Sequence, residues 1–162
     1  MAHFAEIKQV TDPTGHTADT LWIVQRVCVV GNNTETVAGP LGENDMHIDG
    51  ETWCQNFWGG TWKQTSYNHN FRKQYCGNGF VYDSTKDKFL EPQPHKSWSL
   101  DENDNWKPPV DWPTIFEYGE AGNKKQYLIE WDEENLKWTA KDSEDPQNSF
   151  NWDPSGLAWV SA

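Results

Sequence analysis

The chain has 162 residues, and 11 Trp, 7 Phe and 5 Tyr stand in for a modest aliphatic content. Thirteen basic against 25 acidic side chains give a net charge of −12, which repels phosphate backbones and argues against nucleic-acid binding through a basic patch. No apolar run approaches membrane-spanning length, and a chain of this size can bury a core without a metal or disulfide framework.

The first thirty residues predict strands. Phe4, Ile7 and Val10 precede the turn-forming Asp12-Pro13-Thr14-Gly15. Leu21-Trp22-Ile23-Val24 and Val27-Cys28-Val29-Val30 are short apolar runs rich in β-branched residues. Residues 31–50 carry Gly31, Asn32, Asn33, Gly39, Pro40, Gly42 and Gly50 and read as a loop. Asn32-Asn33-Thr34 fits a glycosylation acceptor, but nothing else in the sequence points to secretion. Residues 51–58 are the one helix candidate, with Trp53, Cys54 and Phe57 on one face and Gly59-Gly60 as its stop.

From residue 80 a repeat sets in: an aromatic or Leu, then Asp, four or five residues, then an aromatic. Its copies run from Tyr82-Asp83 to Phe89, Leu100-Asp101 to Trp106, Trp131-Asp132 to Trp138, and Trp152-Asp153 to Trp159. The intervening residues are turn formers, so each copy predicts a β-hairpin. Its Asp opens the turn by accepting backbone N–H groups, and its two flanking aromatics become cross-strand neighbours. An isolated hairpin is marginal in water, so these must stack on one another, on the N-terminal part, or on a partner. Pro92, Pro94, Pro108, Pro109 and Pro113 make the stretches between them extended connectors. The expected fold class is all-β, mainly strand with at most one short helix. An antiparallel, sandwich-like domain is expected over residues 1–113, and an appendage of serial aromatic-flanked hairpins over 114–162.

Cys28, Cys54 and Cys76 show neither CxxC nor zinc spacing, and the first residues lack a basic segment followed by an apolar one. Reduced thiols in a cytoplasm are expected. His3, His16, His47, His69 and His95 form no paired ligand spacing and read as surface or interface histidines. Asp101-Glu102-Asn103-Asp104-Asn105 opens like a calcium loop, but Trp106 and Trp112 replace the required Gly and Glu, so it reads as a solvated hairpin tip. Cys54 with His69 lacks the surroundings of a nucleophile pair, and Glu133, Glu134, Asp142, Glu144 and Asp145 read as a solvated acidic face. No catalytic residue, metal ligand or cofactor is assigned. Most of the Trp side chains are expected to pack the hairpins; Trp58, Trp62, Tyr67 and Trp112 stand beside Gly or Pro in loop-like sequence or within it, and are the candidates for an exposed binding surface.

The stretch from Phe57-Trp58-Gly59-Gly60-Thr61-Trp62-Lys63-Gln64-Thr65-Ser66-Tyr67-Asn68 through Arg72-Lys73-Gln74-Tyr75-Cys76-Gly77-Asn78-Gly79-Phe80-Val81-Tyr82-Asp83 resembles a family of small virion-associated proteins of marine tailed phages, cyanophages especially. The likeness continues through Asp87-Lys88-Phe89-Leu90-Glu91-Pro92-Gln93-Pro94 and Ser97-Trp98-Ser99-Leu100, and covers about residues 1–113. It implies a non-enzymatic virion component, made in the host cytoplasm and carried on the particle. A capsid decoration or cement protein, present in many copies, fits best, with a host-recognising tail or fibre component as the alternative. The implied partners are the major capsid protein or other virion proteins, or further copies of the chain, and neither nucleic acid nor a membrane. Cys76 stands where that family has a small residue, so the resemblance does not require a Cys54–Cys76 bond and leaves it open whether the two are joined.

Overall fold

The computed structural model describes residues 1–42 and 48–162, and the chain divides into two compact units, Met1–Gln93 and Pro94–Ala162. Fourteen strands and one helix among the described residues make the protein all-β, as expected.

The N-terminal unit is built on β1 (Ala2–Thr11) and β2 (Thr20–Val30), which pair antiparallel along almost their whole length. The two apolar runs at 21–24 and 27–30 are therefore one strand. The register shifts between Glu6, opposite Arg26, and Ile7, opposite Val24, leaving Gln25 as an extra residue in a β-bulge. β3 (Glu35–Thr36) and β4 (Gly39–Pro40) form a small hairpin where a loop was expected. α1 (Ile48–Trp58) follows, then β5 (Thr61–Thr65), β6 (Val81–Asp83) and β7 (Lys88–Leu90). The sheet order is β5-β1-β2-β6-β7, antiparallel throughout.

Apolar residues line both faces of β1. Ala2 and Phe4 pack with Val30, Leu41, Cys54 and Trp62, on the side that α1 covers. Ala5 and Ile7 pack with Val24, Cys76, Tyr82 and Phe89 on the other. The strand needs cover on both sides because its apolar residues do not keep to one parity. Asp49 and Glu51 place negative charge in the first turn of α1. Gly59 and Gly60, at φ of 75° and 74°, end it as expected.

The buried face of α1 differs from the expected one. Cys54 is fully buried and Trp53 half-buried, but Phe57 is 65% exposed. Gly50 and Cys54, one turn apart, let the helix close onto Phe4 and Leu41. Trp53 and Phe57 lie further round the helix and stack on each other at 4.9 Å.

The C-terminal unit opens with the hairpin β8 (Ser99–Leu100) and β9 (Trp106–Lys107), and continues with β10 (Glu117–Tyr118), β11 (Lys125–Asp132), β12 (Lys137–Asp142), β13 (Ser149–Asp153) and β14 (Ala158–Ser161). β10 to β14 form a five-stranded antiparallel meander in chain order. All four aromatic-flanked hairpins are present in the expected register: Tyr82 opposite Phe89, Leu100 opposite Trp106, Trp131 opposite Trp138, Trp152 opposite Trp159. In each, the leading Asp accepts backbone N–H bonds from the turn, as Asp132 does from Glu134 and Asn135 at 3.1 and 3.0 Å.

The division at residue 93/94 falls twenty residues before the expected one at 113/114, and the reason is tryptophan packing. Thr139 lies opposite Asn151, so the next step of the ladder sets Trp138 beside Trp152. Trp131, Trp138, Trp152 and Trp159 thus stand in one row across four strands, and Trp98, Trp106 and Val110 pack into the same core. The proline-rich segment is no free linker. Pro108 and Pro113 are buried, the Trp138 indole N–H donates to the Val110 carbonyl at 3.1 Å, and that of Trp159 donates to the Ile115 carbonyl at 2.8 Å. Lys107–Pro113 and the hairpin before it therefore belong with the C-terminal meander.

Candidate interface surfaces

Of the four aromatic candidates, three are exposed: Trp58 at 38%, Tyr67 at 66% and Trp112 at 54%. Trp62 is not, and this corrects the expectation for it. At 3% exposure it is part of the core under α1. Its indole N–H donates to the Gly59 carbonyl at 2.6 Å, and Trp58 packs beside it at 5.2 Å. The Arg26 guanidinium stands 5.3 Å from its ring centroid, itself held by Glu6 at 2.6 Å.

Each exposed aromatic rests on further rings. Trp58 meets Phe57 and Trp53 edge to face, at 5.2 and 5.4 Å. Phe57 was not among the candidates, because a helical reading assigns it to the buried face. Tyr67 stacks on His3 at 5.3 Å, with Tyr75 edge-on to both. Burial, then the positive N-terminus, lowers the His3 pKa. A recess of about 180 Å³ opens there between Met1, His3, Gln64, Ser66 and Phe71. Trp112 lies over the ring of buried Trp138 at 4.3 Å and edge-on to Trp98 at 5.4 Å. Rings held in this way lose little freedom on binding, which is what an interface anchor requires. A further cleft of about 320 Å³ lies between α1 and the β3–β4 hairpin, lined by Glu35, Thr36, Val37, Asp49, Trp53 and Asn56.

The buried charges of the N-terminal unit serve the fold. The Arg72 side chain, 6% exposed, bonds Glu51 at 2.6 Å, Asp87 at 2.7 Å and the Gln64 carbonyl at 2.9 Å. Glu51 also accepts the Gln64 backbone N–H at 2.8 Å, and Asp87 accepts the Tyr82 hydroxyl at 2.5 Å. One guanidinium thereby ties α1, β5 and the β6–β7 turn together. Burial raises the Asp87 carboxyl's pKa, but the Tyr82 hydroxyl and the Arg72 charge outweigh it and hold it below the usual carboxylate range. In the C-terminal unit Glu133 is a brace and not part of a solvated acidic face. It accepts the Ser97 hydroxyl at 2.7 Å, the Ser97 N–H at 2.8 Å and the Trp131 indole N–H at 2.8 Å, which together hold its pKa low. Asp104, expected at a solvated tip, is buried, and so is Asp142, which accepts the Glu144 N–H at 2.8 Å.

The three thiols are free. Cys54 is fully buried, and burial first, then the nearby Cys28 and Glu51, pushes its pKa up to about 12. A thiol so held stays protonated and cannot act as a nucleophile at neutral pH. His69, its suggested partner, instead accepts the Tyr75 N–H at 3.1 Å. Among the described residues no three His, Cys, Asp or Glu side chains converge, and no helix is long and apolar enough to cross a membrane. His47 lies outside the described residues. No protein-family model, no curated protein and no solved structure matches this chain.

Proposed function

We propose that this chain is a bacteriophage virion structural protein, a capsid decoration or cement protein that binds the assembled shell in many copies. The resemblance of residues 1–113 to small virion proteins of marine tailed phages supplies the setting. The observation that carries the reading is the set of exposed aromatics, Trp58 with Phe57, Tyr67 and Trp112, each seated on further rings of an acidic body. Aromatic anchors of this kind dominate protein–protein binding energy, and a charge of −12 steers the chain toward a basic surface and away from nucleic acid. The outer strand β14 of the C-terminal meander offers a sheet edge for a partner strand, whereas on the outer side of β7 the Phe89 N–H already donates to the Arg72 carbonyl. Copy number in purified particles tests this directly: hundreds per particle are expected for a shell component, and a few dozen or fewer contradict it.

A second reading, a tail or fibre component that recognises host glycans, draws on the cleft beside α1. Trp53 lines it, and Asp49, Asn56 and Thr36 offer hydrogen-bonding groups. Quenching of tryptophan fluorescence by host surface glycans, joined to a low copy number, is its expected signature.

A further inference from the structure

The hairpins β11–β12 and β13–β14 both turn through a leucine in the left-handed backbone region. Leu136 and Leu157 each have φ of 50°, and both are exposed, at 47% and 57%. Leucine is a poor choice for that conformation, and an exposed large apolar side chain adds a second cost. The equivalent positions of the other two aromatic-flanked hairpins carry Asp87 and Asp104, at φ of 50° and 60°. Aspartate tolerates this backbone better, and the fold uses both side chains: Asp87 accepts from Arg72 and Tyr82, and Asp104 is buried. The two leucines are strained in the same way, and about half of each is left in water.

The meander brings them together. Alternate turns of a meander fall at one end of the sheet, so the 133–136 and 154–157 turns share an end. Leu136 leads into β12 and Leu157 into β14, each two residues before a tryptophan of the same cross-strand row. One strand intervenes, which sets the two backbones about 10 Å apart. Residues 132–137 and 153–158 carry Asp132, Glu133, Glu134 and Asp153 against a single cation, Lys137.

We propose that Leu136 and Leu157 form a two-pronged apolar anchor that docks into a recess with a basic rim on a partner protein. Acidic tips repel each other, so the partner is a different surface and not a second copy of this chain. The inference rests on the virion reading and names the contact through which the C-terminal unit would hold the shell.

The test uses particles purified without this protein and reloaded with wild-type chain or with the double variant Leu136→Asn/Leu157→Asn. Asparagine accepts the left-handed backbone, so the variant should melt at or above the wild-type temperature while its particle affinity falls at least tenfold. A Leu128→Thr control removes an apolar side chain of similar exposure from the strand β11, and should bind as wild type. Undiminished binding of the double variant overturns the anchor and leaves the virion reading standing. A melting temperature lowered by several degrees overturns it too, because the leucines would then serve the fold. An equal loss in the Leu128 control would reduce the effect to general stickiness and overturn the anchor. Wild-type chain that fails to bind particles overturns the virion reading, and this inference with it.

Discussion

At the scale of single residues, position decides what each polar or aromatic group does. Arg72 is nearly enclosed and faces two carboxylates, so removing it takes from Glu51 its nearest cation and leaves it the Gln64 N–H and Lys63 at 3.4 Å. Breaking a buried charge pair from one side costs about 3–5 kcal/mol. Arg72→Met should therefore destabilise the N-terminal unit by about that amount in urea unfolding, and a loss under about 1 kcal/mol would show the network to be dispensable. Glu133 gives a pH signature. Its folded-state pKa is depressed, so its contribution is present above the unfolded carboxylate value of about 4.3 and is lost as pH falls through the lower folded value. The melting temperature should drop as pH falls below about 5, and Glu133→Gln should flatten that dependence; parallel curves for the two proteins would contradict the brace. Residue-level exposure was the least legible feature of the sequence. Trp58 and Trp62 stand in the same Gly-flanked stretch, yet one is exposed and the other buried. Arg26 and Glu6, distant in sequence, close over Trp62, and no local pattern announces them.

At the scale of elements, the reading succeeded where the physics is local. An Asp that opens a turn, with an aromatic or Leu before it and an aromatic five or six residues after it, determines a hairpin and its register together, so all four could be written from the sequence. The turn between β12 and β13 was missed because no aromatic pair flanks it (Phe150 stands opposite Ala140), although Asp142 caps it in the same manner. Strand β5 was missed inside the Gly-rich stretch. The helix was found, but its buried face was assigned by aromatic content, whereas close approach at Gly50 decides it. A methyl group on Gly50 would come within 3.0 Å of Leu41 and closer still to the ring of fully buried Phe4. Gly50→Ala should therefore cost about 1–3 kcal/mol, despite alanine's better helix propensity. Unchanged or raised stability on thermal melting would place the helix further from the sheet than described.

At the scale of the whole molecule, fold class was legible from the β-branched runs of the first thirty residues and the aromatic-flanked turns after residue 80, with an aromatic-rich composition that favours strands. The division into units was not. Proline-rich sequence reads as linker, but Pro108 and Pro113 are buried, and the indole N–H groups of Trp138 and Trp159 hold the Val110 and Ile115 carbonyls. On the proposed reading, the charge of −12 and the exposed ring clusters belong to a body that is held by a partner. That is the central claim, and a density map of the intact particle tests it most directly. The account predicts this chain repeated over the shell, with Trp58, Tyr67 or Trp112 seated against the major capsid protein. A shell bare of it, or density confined to the tail, would contradict the account.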